Sequence, residues 1–186
     1  MKELLASLRT AAVSLLACAI VYPAAVLALA AVMRPESRTG SLVRDRQGNV
    51  VGSVLLAQRF SSPRYFWPRP SAVEYDAAAA GGSNLSPASP ALRERAATWI
   101  GRLDSDGTAV PADLVTTSGS GLDPHVSLAA ARWQIPRVAA ARNLAPQEVE
   151  SLVSRQVRDS APRILGGMQI VNVLELNLAL DALSNP

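Results

Sequence analysis

The chain has 186 residues, 49% of them apolar and 4% aromatic, and carries a formal charge of +3. That length suits one modest domain with an appendage, and the mild charge, with no dense Lys/Arg block among aromatics, excludes a nucleic-acid groove. A single cysteine, Cys18, and a single histidine, His125, exclude an intrachain disulfide, a zinc cluster and a histidine-rich metal centre, so packing alone must hold the core.

The first element is apolar. Lys2, Glu3 and Arg9 are the only charges from Met1 to Met33, and none occurs from Thr10 onward. Residues 1–10 read as a short tail and Ala11–Met33 as a helix long enough to cross a hydrocarbon layer about 30 Å thick. Pro23 removes a backbone donor and is expected to kink the span, a defect that neighbouring helices can cover. A cleavable signal peptide is the rival reading, with Lys2 and Arg9 as its charged start and "ALA" at Ala28–Ala30 as its cut site. The run exceeds the usual apolar core of such leaders, which favours a retained anchor. Charge counting sets Arg34, Arg38, Arg44 and Arg46 against Lys2 and Arg9, and taken alone would put the C-terminal domain inside the cell.

Residues 34–186 read as one soluble α+β domain. Ser41–Gln58 predicts a β-hairpin turning through Asp45–Asn49, with Gly48 at positive φ. Pro63, Pro68 and Pro70 bar a continuous helix or central strand across Phe60–Tyr75. Ser89 caps a helix begun by Pro90, with Leu92, Ala96, Trp99 and Ile100 on one stripe. Asp104 and Asp106 lie in a polar loop whose role is solvation, and Pro111–Gly121 is irregular. Ser127 starts a second helix with Leu128, Ala131, Ile135 and Val138 on one face, which Pro136 is expected to break or kink. Pro146 opens a third, with Val149, Leu152, Val153 and Val157 at helical spacing and Arg155 and Arg158 in its last turn. Val171–Leu183 begins as a strand and finishes as a short helix.

The most chemically suggestive run is "TTSGSGLDPHVS", Thr116–Ser127. A hydrolytic relay would use Ser118 or Ser120, His125 and Asp123, in an exported hydrolase. All of these sit in one short loop without a strained nucleophile elbow, and a turn residue (Asp123) beside a packing histidine is the plainer account. A phosphate cradle would use the backbone of Ser118, Gly119, Ser120 and Gly121. The Walker pattern needs a lysine there, and the chain's only lysine is Lys2. Arg64, Arg69 and Arg137 near Tyr65, Trp67 and Trp133 fit structural stacking pairs, and Trp67 between prolines also fits an interface anchor.

Five ordered blocks carry a resemblance: "YFWPRPSA" (Tyr65–Ala72), "GGSNL" (Gly81–Leu85), "DLVTTSGSGLDPH" (Asp113–His125), "WQIPRVAAARNL" (Trp133–Leu144) and "VNVLELNLALD" (Val171–Asp181), with "VYP" in the span and "GSLV" after it. Together they resemble the KdpC family of the Kdp potassium-transporting ATPase, with Ala57 and Ser86 as small departures from a commoner glycine. The resemblance implies a non-catalytic subunit of a bacterial plasma (inner) membrane complex, with one membrane helix and one soluble domain needed for assembly and activity. Its partners would be a channel-like potassium-binding subunit, a P-type ATPase subunit that hydrolyses ATP through a phosphorylated aspartate, and membrane lipid. It would bind no cofactor tightly. Family descriptions make it a catalytic chaperone that raises the ATP affinity of the ATPase subunit, yet also place its domain outside the cytoplasm, beside the channel entrance. A folded domain often translocates despite flanking arginines, which favours the outside placement, with ATP acting through the complex. Candidate partner contacts are Tyr22, Pro23, Tyr65, Trp67, Arg69, Trp133 and Arg137.

Overall fold

A computed structural model describes residues 1–33, 35, 39–45, 47–103, 107–162 and 166–184. The chain divides into two units, Met1–Leu42 and Val43–Pro186. Asp104, Asp106, Arg34, Arg38 and Arg46 lie outside the described residues.

The first unit is a helical run from Lys2 to Met33 in which no residue is buried. Its 32 residues would span about 48 Å at 1.5 Å per residue, more than a hydrocarbon layer requires. It comprises α1 (Lys2–Leu16), a π-helical turn over Ala17–Val21 and α2 (Tyr22–Met33). The π-turn falls immediately before Pro23. Tyr22 N–H bonds the Ala17 carbonyl five residues back, so the ladder slips register just where the proline has no N–H to offer.

The second unit is α+β. Strand β1 (Leu42–Arg44) pairs with β2 (Val50–Ser53) as a two-stranded sheet. In their turn, Asp45 Oδ1 accepts from the Gln47 and Asn49 amides at 2.9 Å each, and Gly48 takes φ 87°, as the sequence predicts. From Phe60 to Tyr75 the chain forms neither helix nor strand, in keeping with its prolines.

Helix α3 (Pro90–Leu103) begins at the predicted proline. Its inward stripe is Leu92, Ala96, Trp99 and Leu103, spaced four, three and four residues apart, while Ile100 is exposed rather than part of the stripe. A 3₁₀ turn, Ala112–Leu114, interrupts the irregular stretch that follows.

The remaining elements build the core. Strands β3 (His125–Ser127), β4 (Val157–Asp159) and β5 (Gln169–Asn172) form an antiparallel sheet in the order β3-β5-β4. Val126 and Val157 both register on Val171, so one rung of β-branched side chains crosses the sheet toward the helices. Helices α4 (Leu128–Arg142), α5 (Pro146–Gln156) and α6 (Val173–Ser184) supply Val138, Ala139, Val149, Val153, Leu176 and Leu180 to the same core.

Three expectations change here. Of the break or kink expected at Pro136, the break does not occur: helix α4 runs on to Arg142, because Ile135, Val138 and Ala139 are buried while the proline faces outward. Tertiary packing outweighs one missing backbone bond. Helix α5 ends at Gln156, so Val157 and Arg158 belong to β4 and not to its last turn, since the backbone from Val157 pairs with β5. Finally, α6 starts already at Val173 and takes most of the predicted strand, because the Asn172 Oδ1 accepts from the Leu174 and Glu175 amides and so caps its first turn.

Candidate functional site

Segment Pro63–Pro70 has backbone groups to satisfy inside the core but cannot join a sheet. Phe66 is fully buried. The Asn177 side chain from α6 takes both of its backbone groups: Phe66 N–H donates to Oδ1 at 2.8 Å and Nδ2 donates to the Phe66 carbonyl at 3.0 Å. The Gln134 side chain from α4 does the same for Trp67, at 2.8 and 3.2 Å. Two buried carboxamides thus replace two neighbouring strands, each presenting the donor–acceptor pair of a peptide group.

Guanidinium groups extend this clamp. Arg142, whose side chain is 1% exposed, donates to the Arg64 carbonyl and to Asp181, both at 2.7 Å, and lies over the Tyr65 ring at 4.9 Å. The Tyr65 hydroxyl donates to the other Asp181 oxygen at 3.1 Å. Arg137 donates to the Pro63 and Tyr65 carbonyls and to Gln134 Oε1, and stacks on Trp67 at 4.1 Å. Burial lowers its guanidinium to about 10, still well above neutral pH, so it stays charged.

The glycine- and serine-rich loop is locked to the same segment. Ser118 is buried and its amide donates to the Pro70 carbonyl at 3.2 Å, while Gly81 N–H donates to the Ser120 carbonyl at 2.8 Å. The Gly121 and Leu122 amides bond within the loop, to the Ser118 carbonyl and Ser120 Oγ. Gly121 has φ 69°, and a Cβ there would meet Val73 at 2.6 Å and the Gly81 carbonyl at 2.8 Å. A Cβ on Gly82 would likewise press on the Gly119 carbonyl at 2.9 Å. Glycine is therefore needed where two loops touch backbone to backbone. The amides a phosphate would use at Ser118 and Gly121 are spent on the protein itself.

His125 faces Asp123. Its Nδ1 lies 3.2 Å from Asp123 Oδ1, which also accepts the His125 amide at 3.0 Å in a local turn. The hydrogen bond from the His125 side chain is the main cause holding the Asp123 carboxyl below its ordinary range, and Arg69 at 3.8 Å adds a smaller pull. The histidine's described bonds thus run to the aspartate and not to Ser118 or Ser120, so the hydrolase reading finds no support in the geometry.

Of the other candidates, Arg69 also reaches Thr116 Oγ1 and the Thr117 carbonyl, at 3.5 and 3.3 Å, and Trp133 is half-buried on α4. Tyr22 is exposed and Pro23 half-buried in the first unit. Of the expected stacking pairs, Arg137 on Trp67 forms; Tyr65 carries Arg142 instead, and Arg64 donates to the Ala141 carbonyl at 3.3 Å.

Those contacts join the sequence blocks to one another. Asp113 accepts the Ser127 amide at 2.7 Å, and Val173 N–H reaches the Pro124 carbonyl at 2.9 Å. The blocks are one interlocked framework, which makes their joint appearance diagnostic of a shared architecture. A family model described as "K+-transporting ATPase, c chain" matches residues 4–182. The chain belongs to the KdpC family. It is 46% identical to the potassium-transporting ATPase KdpC subunit of Parvibaculum lavamentivorans over 183 residues, 97% of each chain. The KdpC subunit of Myxococcus xanthus is 48% identical over 98% of this chain and 89% of its own, and that of Synechocystis 45% identical over 94% and 95%. The protein is therefore a subunit of the potassium-transporting Kdp ATPase complex, a membrane transporter, and it carries one apolar N-terminal helix.

Sequence reasoning missed Gln134, Asn177, Arg142 and Asp181, the side chains that carry the framework. A signal existed: Gln134 and Asn177 are amides set among apolar residues at core-facing helical positions, where an unpaired polar group is costly.

Proposed function

We propose that this chain is a non-catalytic subunit, anchored in the bacterial plasma membrane by its N-terminal helix, whose folded domain docks on larger neighbours. Those neighbours are a channel-like potassium-binding subunit and a P-type ATPase subunit. The domain lies outside the cytoplasm. It supports assembly and turnover, and it raises the ATP affinity of the ATPase subunit through the complex, without holding the nucleotide itself.

One observation carries this reading. The polar residues of the sequence blocks are consumed in shaping the chain: Gln134 and Asn177 serve as surrogate strands, Arg137 and Arg142 as carbonyl ties, and Ser118 to Gly121 as a loop clasp. Such a domain is built to present a fixed surface rather than to react. The π-turn before Pro23 adds to it, since a register slip in a membrane helix is easiest to keep where another helix packs over it.

Topology is the experiment that tests it. A cysteine placed at Gly48, in the exposed hairpin turn, with Cys18 replaced by Ala, should react with a membrane-impermeant maleimide in intact spheroplasts. Labelling only after lysis would place the domain inside and overturn the reading. In the assembled complex, omission of this chain should raise the ATP concentration needed for half-maximal hydrolysis; an unchanged value removes the chaperone role.

A further inference from the structure

Four of the chain's eight aromatic side chains, Phe60, Trp67, Tyr75 and Trp99, line one cleft of about 410 Å³ together with Arg59 and Arg102. That volume lies in the range of small-molecule sites. The aromatic faces are already paired with cations. Arg102 lies over Trp99 at 4.9 Å, Arg59 over Tyr75 at 5.9 Å, and Arg137 backs Trp67 at 4.1 Å. Among the described residues one acid, Glu74, faces the cleft, and it pairs with Arg59 at 3.0 Å. Arg102 has no ion-pair partner among the described residues.

The wall is also strained. Glu74 and Tyr75 are consecutive non-glycine residues at φ 57° and 64°, in the left-handed region that a Cβ disfavours. Ser71 Oγ holds them there by accepting the Val73 and Tyr75 amides at 3.1 and 3.0 Å, and the Tyr75 hydroxyl donates to the Arg69 carbonyl at 3.0 Å. Burial raises the Tyr75 hydroxyl above its usual value, so the ring stays neutral at working pH. Strain maintained by dedicated hydrogen bonds, at the rim of a cleft, is the pattern of a binding wall.

We infer that this cleft binds a small planar organic anion, its ring stacked among Trp67, Tyr75 and Trp99 and its carboxylate or phosphate on Arg102, with Arg59 released from Glu74 as the second cation. Guanidinium groups pre-oriented on aromatic faces lose little freedom on meeting an anion, and a flat apolar body fits the remaining ring surface. Aromatic walls left bare would suit a cation; walls already carrying arginines repel one.

Calorimetric titration of the full-length chain in nanodiscs, with blank nanodiscs subtracted, tests the site with three probes: 2-naphthoate, 2-naphthylmethylammonium and inorganic phosphate. We expect saturable binding of 2-naphthoate with a dissociation constant of about 1 mM or tighter, and much weaker binding of the other two. Glu74→Gln, which removes the competing carboxylate, should tighten 2-naphthoate about threefold to tenfold. Arg102→Ala should abolish saturation. Absence of saturable heat with 2-naphthoate, equal or better binding of the ammonium or of phosphate alone, or a Glu74→Gln variant that binds no more tightly would each overturn the site. The Glu74 substitution predicts a gain, so misfolding cannot imitate its expected result.

Discussion

The two units of this chain solve opposite solvation problems. In Lys2–Met33 the side chains are mostly apolar, with no charge after Arg9, no residue is buried, and every backbone group is left to the helix itself. In the second unit the backbone of Phe66 and Trp67 lies in the core without a sheet to join, and polar side chains are brought inward to serve it. The helix suits a solvent that offers no hydrogen bonds. The clamp suits a core that proline prevents from being built of strands. Polarity inside the domain is therefore structural, and its placement reveals little about chemistry performed on a substrate.

Substitutions that break the clamp should separate the units most. Phe66→Ala, at a fully buried position, is expected to cost about 4 kcal/mol in denaturation of the full-length chain in detergent, followed by tryptophan fluorescence. Asn177→Leu keeps the branched heavy-atom skeleton but strands both backbone groups of Phe66, and should cost about 3 kcal/mol. Gly121→Ala combines an unfavourable φ with backbone contact and should cost about 2 kcal/mol. None of these should alter the helicity of the first unit.

Smaller effects sharpen the contrast. Asp123 is held below its ordinary range, so the stability it contributes is present above about pH 4 and is lost as pH falls through the lowered value. Asp123→Asn should flatten stability against pH in that acid window, with a change of about 1 kcal/mol or less, readable by thermal melts at pH 3 and pH 6. Pro23→Ala restores a backbone donor in the rod and should leave the domain's melting unchanged.

Much of the architecture was legible because local rules and packing agree. Gly48 turns a hairpin, Pro90 and Pro146 open helices, Ser127 caps α4 through its hydroxyl, and the prolines of Phe60–Tyr75 keep that segment irregular. Where long-range contacts decide, the sequence is silent. Pro136 sits inside an intact helix because the opposite face is buried, and Val157 leaves its helical stripe because Val171 offers a strand partner. The aromatic and arginine residues at Tyr65, Trp67 and Arg137 were visible as a group, but their anchors, Gln134 and Asn177, lie 67 and 111 positions away from Trp67 and Phe66. Only folding shows that an amide at that remove closes a hydrogen-bond pair.

The claim that these residues shape the chain and do not react is tested most directly in the assembled complex carrying Ser120→Ala and His125→Ala together. Potassium-stimulated ATP hydrolysis per assembled complex should remain near the unsubstituted rate. A turnover reduced by tenfold or more in a complex that still assembles would show that the loop performs chemistry, and the account would be wrong.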